Sequence, residues 1–183
     1  MITSAETPVT PPPEPESLRV IVDANITLAM FLVRRDRPVQ LSPKRILLSL
    51  LPQPNFRWLW HPDILNDYAR GAAAIEADLR LAKRAVFDRN GFELLLSALQ
   101  LFQPVALSAT SLRAARQRIS QATRARDLDL DDAIYLAAAV DGDAHLLTSQ
   151  DSDLLSLGDA YADVRIVDWR GLATELRARG LTN

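Results

Sequence analysis

With 183 residues, a hydrophobic fraction of 48% and a net charge of −2, the chain has the composition of one globular domain with a sizeable core. The near-neutral total excludes the overall basicity of many nucleic-acid-binding proteins, and the absence of cysteine excludes disulfides and thiolate metal ligands. No apolar run reaches the roughly 18 residues that span a membrane, and the amino terminus lacks a signal-peptide pattern. We therefore expect a soluble cytoplasmic protein.

The first 17 residues differ in composition from the rest of the chain. Residues 1–17 are rich in proline and acids and contain little to bury, which predicts a disordered tail. No repeat or linker divides residues 18–183, which we expect to form one domain. The apolar run 18–22 is typical of a central parallel strand.

Short apolar runs alternate with amphipathic segments along the remaining chain. Ser42 is predicted to cap a helix, with Pro43 at its first position, and Ser108 is predicted to cap a later one. Gly71 and the Asn90–Gly91 pair are predicted to break a long helical region. Further strands are predicted at 56–60, 104–107, 144–148 and 164–168, and helices at 26–35, 42–51, 61–100, 108–120, 132–140, 152–157 and 169–179. This alternation predicts the α/β class, with a mostly parallel central sheet between helices in an α/β/α sandwich.

Charge is strongly segregated along the sequence. From Asp127 to Val164 there are ten acids and no Lys or Arg. From Ser111 to Arg126 there are five arginines and no acid. A basic segment that runs directly into an acidic one could hold a polyanion that the acidic residues alone would repel.

Several acids are predicted to meet at one edge of the sheet. Asp23 directly follows the first strand, and Asp151 and Asp153 follow the strand at 144–148. Asp131 and Asp132 begin the helix that leads into that strand. In open parallel sheets ligands bind outside the carboxyl ends of the strands, so these carboxylates are expected to converge there.

Carboxylates brought close together cannot all remain ionised without a compensating cation. Mg²⁺ and Mn²⁺ prefer oxygen ligands and are often held by carboxylates together with water and phosphate oxygens. Ions at such a site activate water and stabilise the leaving oxygen in phosphodiester hydrolysis. The acids therefore predict a metal-dependent hydrolase.

Three segments together resemble the PIN-domain nucleases. They are "VIVDANI", "HPDILNDYA" and "DDAIYLAAAVDGDAHLLTSQDSDLL", and the resemblance extends over residues 18–170. It implies an endoribonuclease that hydrolyses RNA with Mg²⁺ or Mn²⁺ and without a covalent intermediate. It also suggests the toxin of a toxin–antitoxin pair, a small antitoxin protein as partner, and a homodimer.

The resemblance assigns roles to individual residues. Asp23 matches the first metal ligand, and Asn25 a neighbour that organises the site. Asp67 matches a mid-chain acid that is usually Glu in the family, so its shorter side chain is a departure. Asp132 matches the acid that opens the Ala-rich helix, with Asp131 as the alternative.

The end of the motif also departs from the family pattern. "TSQD" is one residue longer than the usual Thr-Gly-Asp or Thr-Asn-Asp, which leaves both Asp151 and Asp153 as candidate ligands. Thr148 and Ser149 match hydroxyl positions near the metal. RNA contacts are expected from the basic segment, at Arg113, Arg116, Arg124 and Arg126.

Simpler interpretations compete with these roles. Asp favours helix N-termini, so the acids at 131, 132, 151 and 153 could be caps, and the arginines could form a solvated helix face. His61 is expected to cap a helix and His145 to be a satisfied edge residue. Two other functions stay open, namely a catalytically silent PIN-like RNA-binding or scaffold module and a metal-dependent phosphohydrolase of small molecules.

Overall fold

The computed structural model describes residues 17–36, 42–78, 83–123, 132–158 and 160–182. The predicted tail, residues 1–17, lies outside the described residues except for Ser17. Within these ranges no helix is both long and apolar enough to cross a bilayer.

A five-stranded sheet forms the centre of the fold, in the order β3-β1-β5-β7-β6. Four of its strands are parallel, and only β6 runs antiparallel, beside β7. The apolar run of β1 pairs with β3 on one side and β5 on the other, which explains why it is almost continuously hydrophobic. The strands are β1 Leu18–Val22, β2 Leu32–Arg34, β3 Phe56–Leu59, β4 Ala85–Phe87, β5 Leu146–Thr148, β6 Ala160–Tyr161 and β7 Val164–Val167.

Helices flank this sheet, as the predicted α/β class requires. They are α1 Ala24–Ala29, α2 Ile46–Leu50, α3 Pro62–Ala77, α4 Arg89–Leu99, α5 Ala109–Thr123, α6 Asp132–Asp141, α7 Ser152–Leu155 and α8 Trp169–Ala178. The Ala-rich α6 packs against β1, β5 and α5, while α8 packs against β5 and β7. The predicted class, with a mostly parallel central sheet, is confirmed.

The prediction of a helix at 26–35 is wrong for the second half of that range. Helix α1 ends at Ala29, and the chain then forms β2, which pairs antiparallel with β4. β4 lies inside the region 61–100 that was predicted to be helical, so both strands of this ribbon were missed. The ribbon depends on pairing between segments far apart in sequence, which local periodicity does not reveal.

The helix break predicted near Gly71 is wrong, whereas the one predicted near Asn90–Gly91 lies close to the start of α4 at Arg89. Helix α3 runs through Gly71, where an added Cβ would lie 2.4 Å from Leu28 Cδ1, so the glycine allows α1 and α3 to pack closely. Gly91 lies in the first turn of α4, and its N–H donates to the capping carboxylate of Asp88 at 3.0 Å. The structure describes β4 between the end of α3 at Ala77 and the start of α4 at Arg89.

Other local predictions had mixed outcomes. Residues 104–107 form no strand, although the N–H of Val105 donates to the Trp60 carbonyl at 2.8 Å. Ser42 caps a 3₁₀ turn, Pro43–Arg45, which leads into α2. Ser108 accepts a hydrogen bond from the N–H of Ser111 at 3.0 Å, as expected of a cap.

Candidate functional site

Asp23 lies at the carboxyl end of β1 and is only 5% exposed. It occupies the N-cap position of α1, yet its carboxylate makes no capping hydrogen bond. Instead its Oδ2 accepts hydrogen bonds from Asn25 Nδ2 at 2.7 Å and from Ser149 Oγ. The backbone N–H of Asp23 donates to the Thr148 carbonyl at 2.9 Å, which holds the ends of β1 and β5 together. The carboxylate is therefore directed into the candidate site rather than onto its own helix.

Burial raises the pKa of Asp23 to about 6 from an ordinary 3.8. The hydrogen bond from Ser149 and the nearby N–H of Ala24 act in the opposite direction, while the carboxylates of Asp151 and Asp67 raise the pKa further. Asp67 and Asp151, which are 84 positions apart in the sequence, thus both act on Asp23 at this edge of the sheet. A cation bound among them would stabilise their ionised forms.

The loop after β5 forms a second wall of the site. Ser149 is fully buried, and its Oγ accepts a hydrogen bond from the N–H of Asp151 at 2.8 Å. The N–H of Gln150 donates to Asn25 Oδ1 at 3.1 Å, so Asn25 bridges Asp23 and this loop. Lys44 Nζ donates to Gln150 Oε1 at 2.8 Å, which places a cation beside the loop that follows β5. Burial lowers the pKa of that lysine.

Asp151 and Asp153 differ in position. Asp151 is half-buried and caps the short α7, since its Oδ1 accepts a hydrogen bond from the N–H of Asp153 at 2.7 Å. Asp153 is exposed. Because Asp151 also acts on the pKa of Asp23, we take it as the acid that belongs to the site, and its capping bond occupies only one of its two oxygens.

Asp67 is held by two donors from different helices. Its Oδ2 accepts a hydrogen bond from the Tyr135 hydroxyl at 2.6 Å, and its Oδ1 accepts one from Arg70 Nη2 at 3.0 Å. Burial raises the pKa of Tyr135 above its usual range, so the hydroxyl keeps its proton and remains a donor. The carboxylate of Asp67 is 23% exposed. Tyr135 thus fixes the position of an acid that is one methylene shorter than the usual family residue.

Asp132 is the first residue of α6 and is half-buried. It lies three positions before Tyr135, and residues at this spacing share a helix face, which places Asp132 on the side of α6 that faces Asp67. Asp131, the alternative ligand, lies outside the described residues.

The predicted RNA-binding arginines are only partly described. Arg113 and Arg116 are exposed on α5, the helix that packs against α6. Arg124 and Arg126 lie outside the described residues. The two histidines are structural, as expected: His61 Nδ1 accepts a hydrogen bond from the N–H of Asp63 at 3.2 Å, and His145 Nδ1 accepts one from the N–H of Arg19 at 3.0 Å.

Three residues of this region were not singled out in the sequence, namely Lys44, Tyr135 and Gln150. A role for Tyr135 could have been predicted from the sequence, because a phenol in an otherwise apolar helix needs a hydrogen-bond partner when it is buried. The contact between Lys44 and Gln150 could not have been predicted from the sequence, because it joins segments 106 positions apart.

We expect Tyr135→Phe to weaken the site while preserving the fold. The substitution removes the 2.6 Å hydrogen bond to Asp67, and hydrogen bonds to charged groups contribute about 2 kcal/mol. Urea unfolding should show a loss of that size, and Mn²⁺ affinity should fall by roughly tenfold to a hundredfold, as for other partners of metal ligands. Tyr161→Phe, on the edge strand β6, is the matched control. Equal Mn²⁺ affinity in the two variants would contradict this role of Tyr135.

The chemistry of the donor set suits a hard divalent cation, because Asp23, Asp67 and Asp151 offer only oxygen. Across the residues that the structure describes, however, no group of three or more acidic, histidine or cysteine side chains is close enough to hold one ion. Asp131 belongs to the undescribed segment beside α6. The described acids therefore match such an ion in ligand type, and they do not by themselves complete a ligand set.

The fold and these acids together define a class of protein, an α/β domain with an acidic site at the carboxyl edge of a parallel sheet. A family model described as PIN domain matches residues 19–153, well over half of the chain. The chain belongs to the PIN-domain family, whose members are generally nucleases and typically use divalent metals. Comparison with curated proteins and with solved structures gives no significant match.

Proposed function

We propose that this PIN domain is a metal-dependent endoribonuclease that hydrolyses RNA phosphodiester bonds. The observation that carries the proposal is Asp23, a buried acid directed away from its own helix and toward Ser149, with its pKa raised by burial and by Asp67 and Asp151. Burying an ionised carboxylate beside other carboxylates destabilises the folded state unless a cation compensates the charge. Acids with strongly shifted pKa values are typical of functional sites.

In this proposal Mg²⁺ or Mn²⁺ would be held by Asp23, Asp132 and Asp151, helped by Asp67 and Asp153, with Asp131 as the alternative to Asp132. Such an ion lowers the pKa of water and stabilises the leaving oxygen of the phosphodiester.

The chain's own residues position these acids. Ser149 and Asn25 orient Asp23, and Tyr135 orients Asp67. Lys44, beside the loop that carries Asp151, places positive charge where a phosphate group would approach. Outside the acidic site, Arg113 and Arg116, with Arg124 and Arg126, would contact the RNA backbone.

The biological setting is proposed from the family resemblance alone. It comprises action in the cytoplasm as the toxin of a toxin–antitoxin pair, a small antitoxin protein as the inhibitory partner, and a homodimer.

A second candidate is an RNA-binding PIN domain without catalytic activity. Two observations favour it: both oxygens of Asp67 already accept hydrogen bonds, and the described residues do not form a complete metal-ligand cluster.

One substrate panel separates these functions. The purified protein is incubated with single-stranded RNA, structured RNA and a set of nucleotides, each with Mn²⁺ or with EDTA. We expect endonucleolytic RNA cleavage that requires Mn²⁺ and stops in EDTA. RNA binding without cleavage under any condition would favour the silent module, and nucleotide hydrolysis without RNA cleavage would favour a small-molecule phosphohydrolase.

A further inference from the structure

The β2–β4 ribbon joins two basic runs that are far apart in the sequence. Arg34 and Arg35 lie at the end of β2, and Lys83 and Arg84 lie just before β4. The N–H of Arg35 donates to the Arg84 carbonyl at 2.9 Å, so the antiparallel pairing holds the two runs side by side. Only the folded chain brings these four cations together.

The four cations line a groove of about 670 Å³, whose other lining residues are Leu32, Asp36 and Ala85. Asp36 is the one acid of this lining, and it pairs with Arg34 through hydrogen bonds of 3.0 and 2.8 Å. Among the described residues neither Lys83 nor Arg84 forms an ion pair. Of the four, Arg35 and Arg84 are joined directly across the pairing, and like charges opposite each other destabilise paired strands, so an anion bound here would be stabilising.

The groove is connected to the acidic site by short segments. Helix α1 begins beside Asp23 and has six residues, a length of about 9 Å, before the chain turns into β2. Arg45 holds the end of the ribbon that lies away from the four cations, because its Nε donates to the Met30 carbonyl at 2.8 Å and its guanidinium pairs with Asp88, directly after β4. The preceding residue, Lys44, contacts Gln150 in the site.

We propose that this groove binds the phosphate backbone of single-stranded RNA next to the segment that enters the acidic site. The choice of RNA as the occupant rests on the proposed function. The charge of the groove favours a polyanion, and guanidinium groups suit phosphate oxygens because they can donate two parallel hydrogen bonds. None of the described residues that line the groove is aromatic, so backbone contact rather than base stacking is expected, and with it little sequence preference.

Charge reversal in the groove tests this proposal. Asp23→Asn serves as the background so that RNA stays intact, and binding of a single-stranded RNA oligonucleotide is measured over a range of salt concentrations. We expect Lys83→Glu with Arg84→Glu to lower the affinity at least tenfold. The slope of log affinity against log salt should become shallower by about 1.4, since each lost contact on a single strand contributes about 0.7.

The matched control is Arg170→Glu with Arg177→Glu, which makes the same charge change on exposed positions of α8. This control should retain affinity within about twofold, and circular dichroism should show that both variants are folded. Equal affinity and equal salt slope in the two variants, or no RNA binding by the Asp23→Asn protein, would overturn the groove proposal.

RNA cleavage by the same proteins tests the nuclease proposal separately from the groove proposal. If the chain with native Asp23 does not cleave RNA in Mn²⁺ but RNA binding depends on Lys83 and Arg84, the nuclease proposal fails and the groove stands. If the charge-reversed groove variant cleaves and binds RNA like the native chain, the groove fails and the nuclease proposal stands.

Discussion

Asp23→Asn is expected to lower the rate of RNA cleavage by at least about a hundredfold while leaving the protein folded. Asn keeps the size of the side chain and one oxygen that can accept hydrogen bonds from Asn25 and Ser149, but it removes the negative charge. Changing a mere partner of a metal ligand typically costs tenfold to a hundredfold, so loss of a ligand should exceed that range. The measurement is the initial rate of RNA cleavage in Mn²⁺.

Two further variants set the scale for this result. Ser149→Ala removes the hydroxyl that orients Asp23 and should lower the rate by about tenfold, as expected of a partner of a ligand. Asp163→Asn changes an exposed acid in the turn before β7, at a left-handed φ of 69° that Asn also tolerates, and should leave the rate unchanged. Comparable rates for Asp23→Asn and Asp163→Asn would remove Asp23 from the mechanism.

The same Asp23→Asn substitution should stabilise the protein at alkaline pH when no metal is present. The pKa of Asp23 is about 6 in the folded state and 3.8 in its ordinary state, so the folded state binds the proton more tightly. The favourable contribution is therefore complete below pH 3.8 and is lost as the pH rises through 6. At pH 8 the buried charge costs up to about 3 kcal/mol, since one pKa unit corresponds to about 1.4 kcal/mol.

Urea unfolding in EDTA measures this difference directly. Asp23→Asn should be more stable than the native chain at pH 8, and the gap should shrink as the pH approaches 4. Mn²⁺ should close the gap at pH 8 by stabilising the native chain, because a ligand that binds only the folded state adds to its stability. A difference in unfolding free energy that is the same at both pH values, or that Mn²⁺ does not change, would contradict the assignment of Asp23 as a metal ligand whose buried charge destabilises the metal-free protein.

The central sheet could be predicted because its strands carry their signal locally. The uninterrupted apolar run of β1 and the Ala-rich sequence of α6 each indicate burial on all sides, and their order along the chain indicates parallel pairing. The β2–β4 ribbon gave no such signal. Its partners are more than 50 positions apart, and residues 30–35 continue the apolar pattern of α1 well enough to resemble a longer helix.

In the candidate site, too, features with a local sequence signal could be predicted, and features that depend on distant packing could not. The placement of Asp23 and Asp151 at one edge could be predicted, because Asp23 directly follows β1 and Asp151 lies in the loop after the neighbouring parallel strand β5. Gly71 was misinterpreted because glycine usually interrupts helices, whereas here the missing Cβ makes room for Leu28. The contact of Tyr135 with Asp67 depends on how α3 and α6 pack, and no local pattern contains that information.

The central claim is that these acids form a metal-dependent site at which water cleaves RNA. End-group analysis of the products tests it most directly, with native chain, RNA and Mn²⁺, beside a parallel reaction in EDTA. Attack by water predicts cleavage only in Mn²⁺ and products without 2′,3′-cyclic phosphate. Cleavage that persists in EDTA would show that no metal is needed, and products that end in 2′,3′-cyclic phosphate would show that the RNA's own 2′-hydroxyl is the nucleophile. Either result would contradict the account.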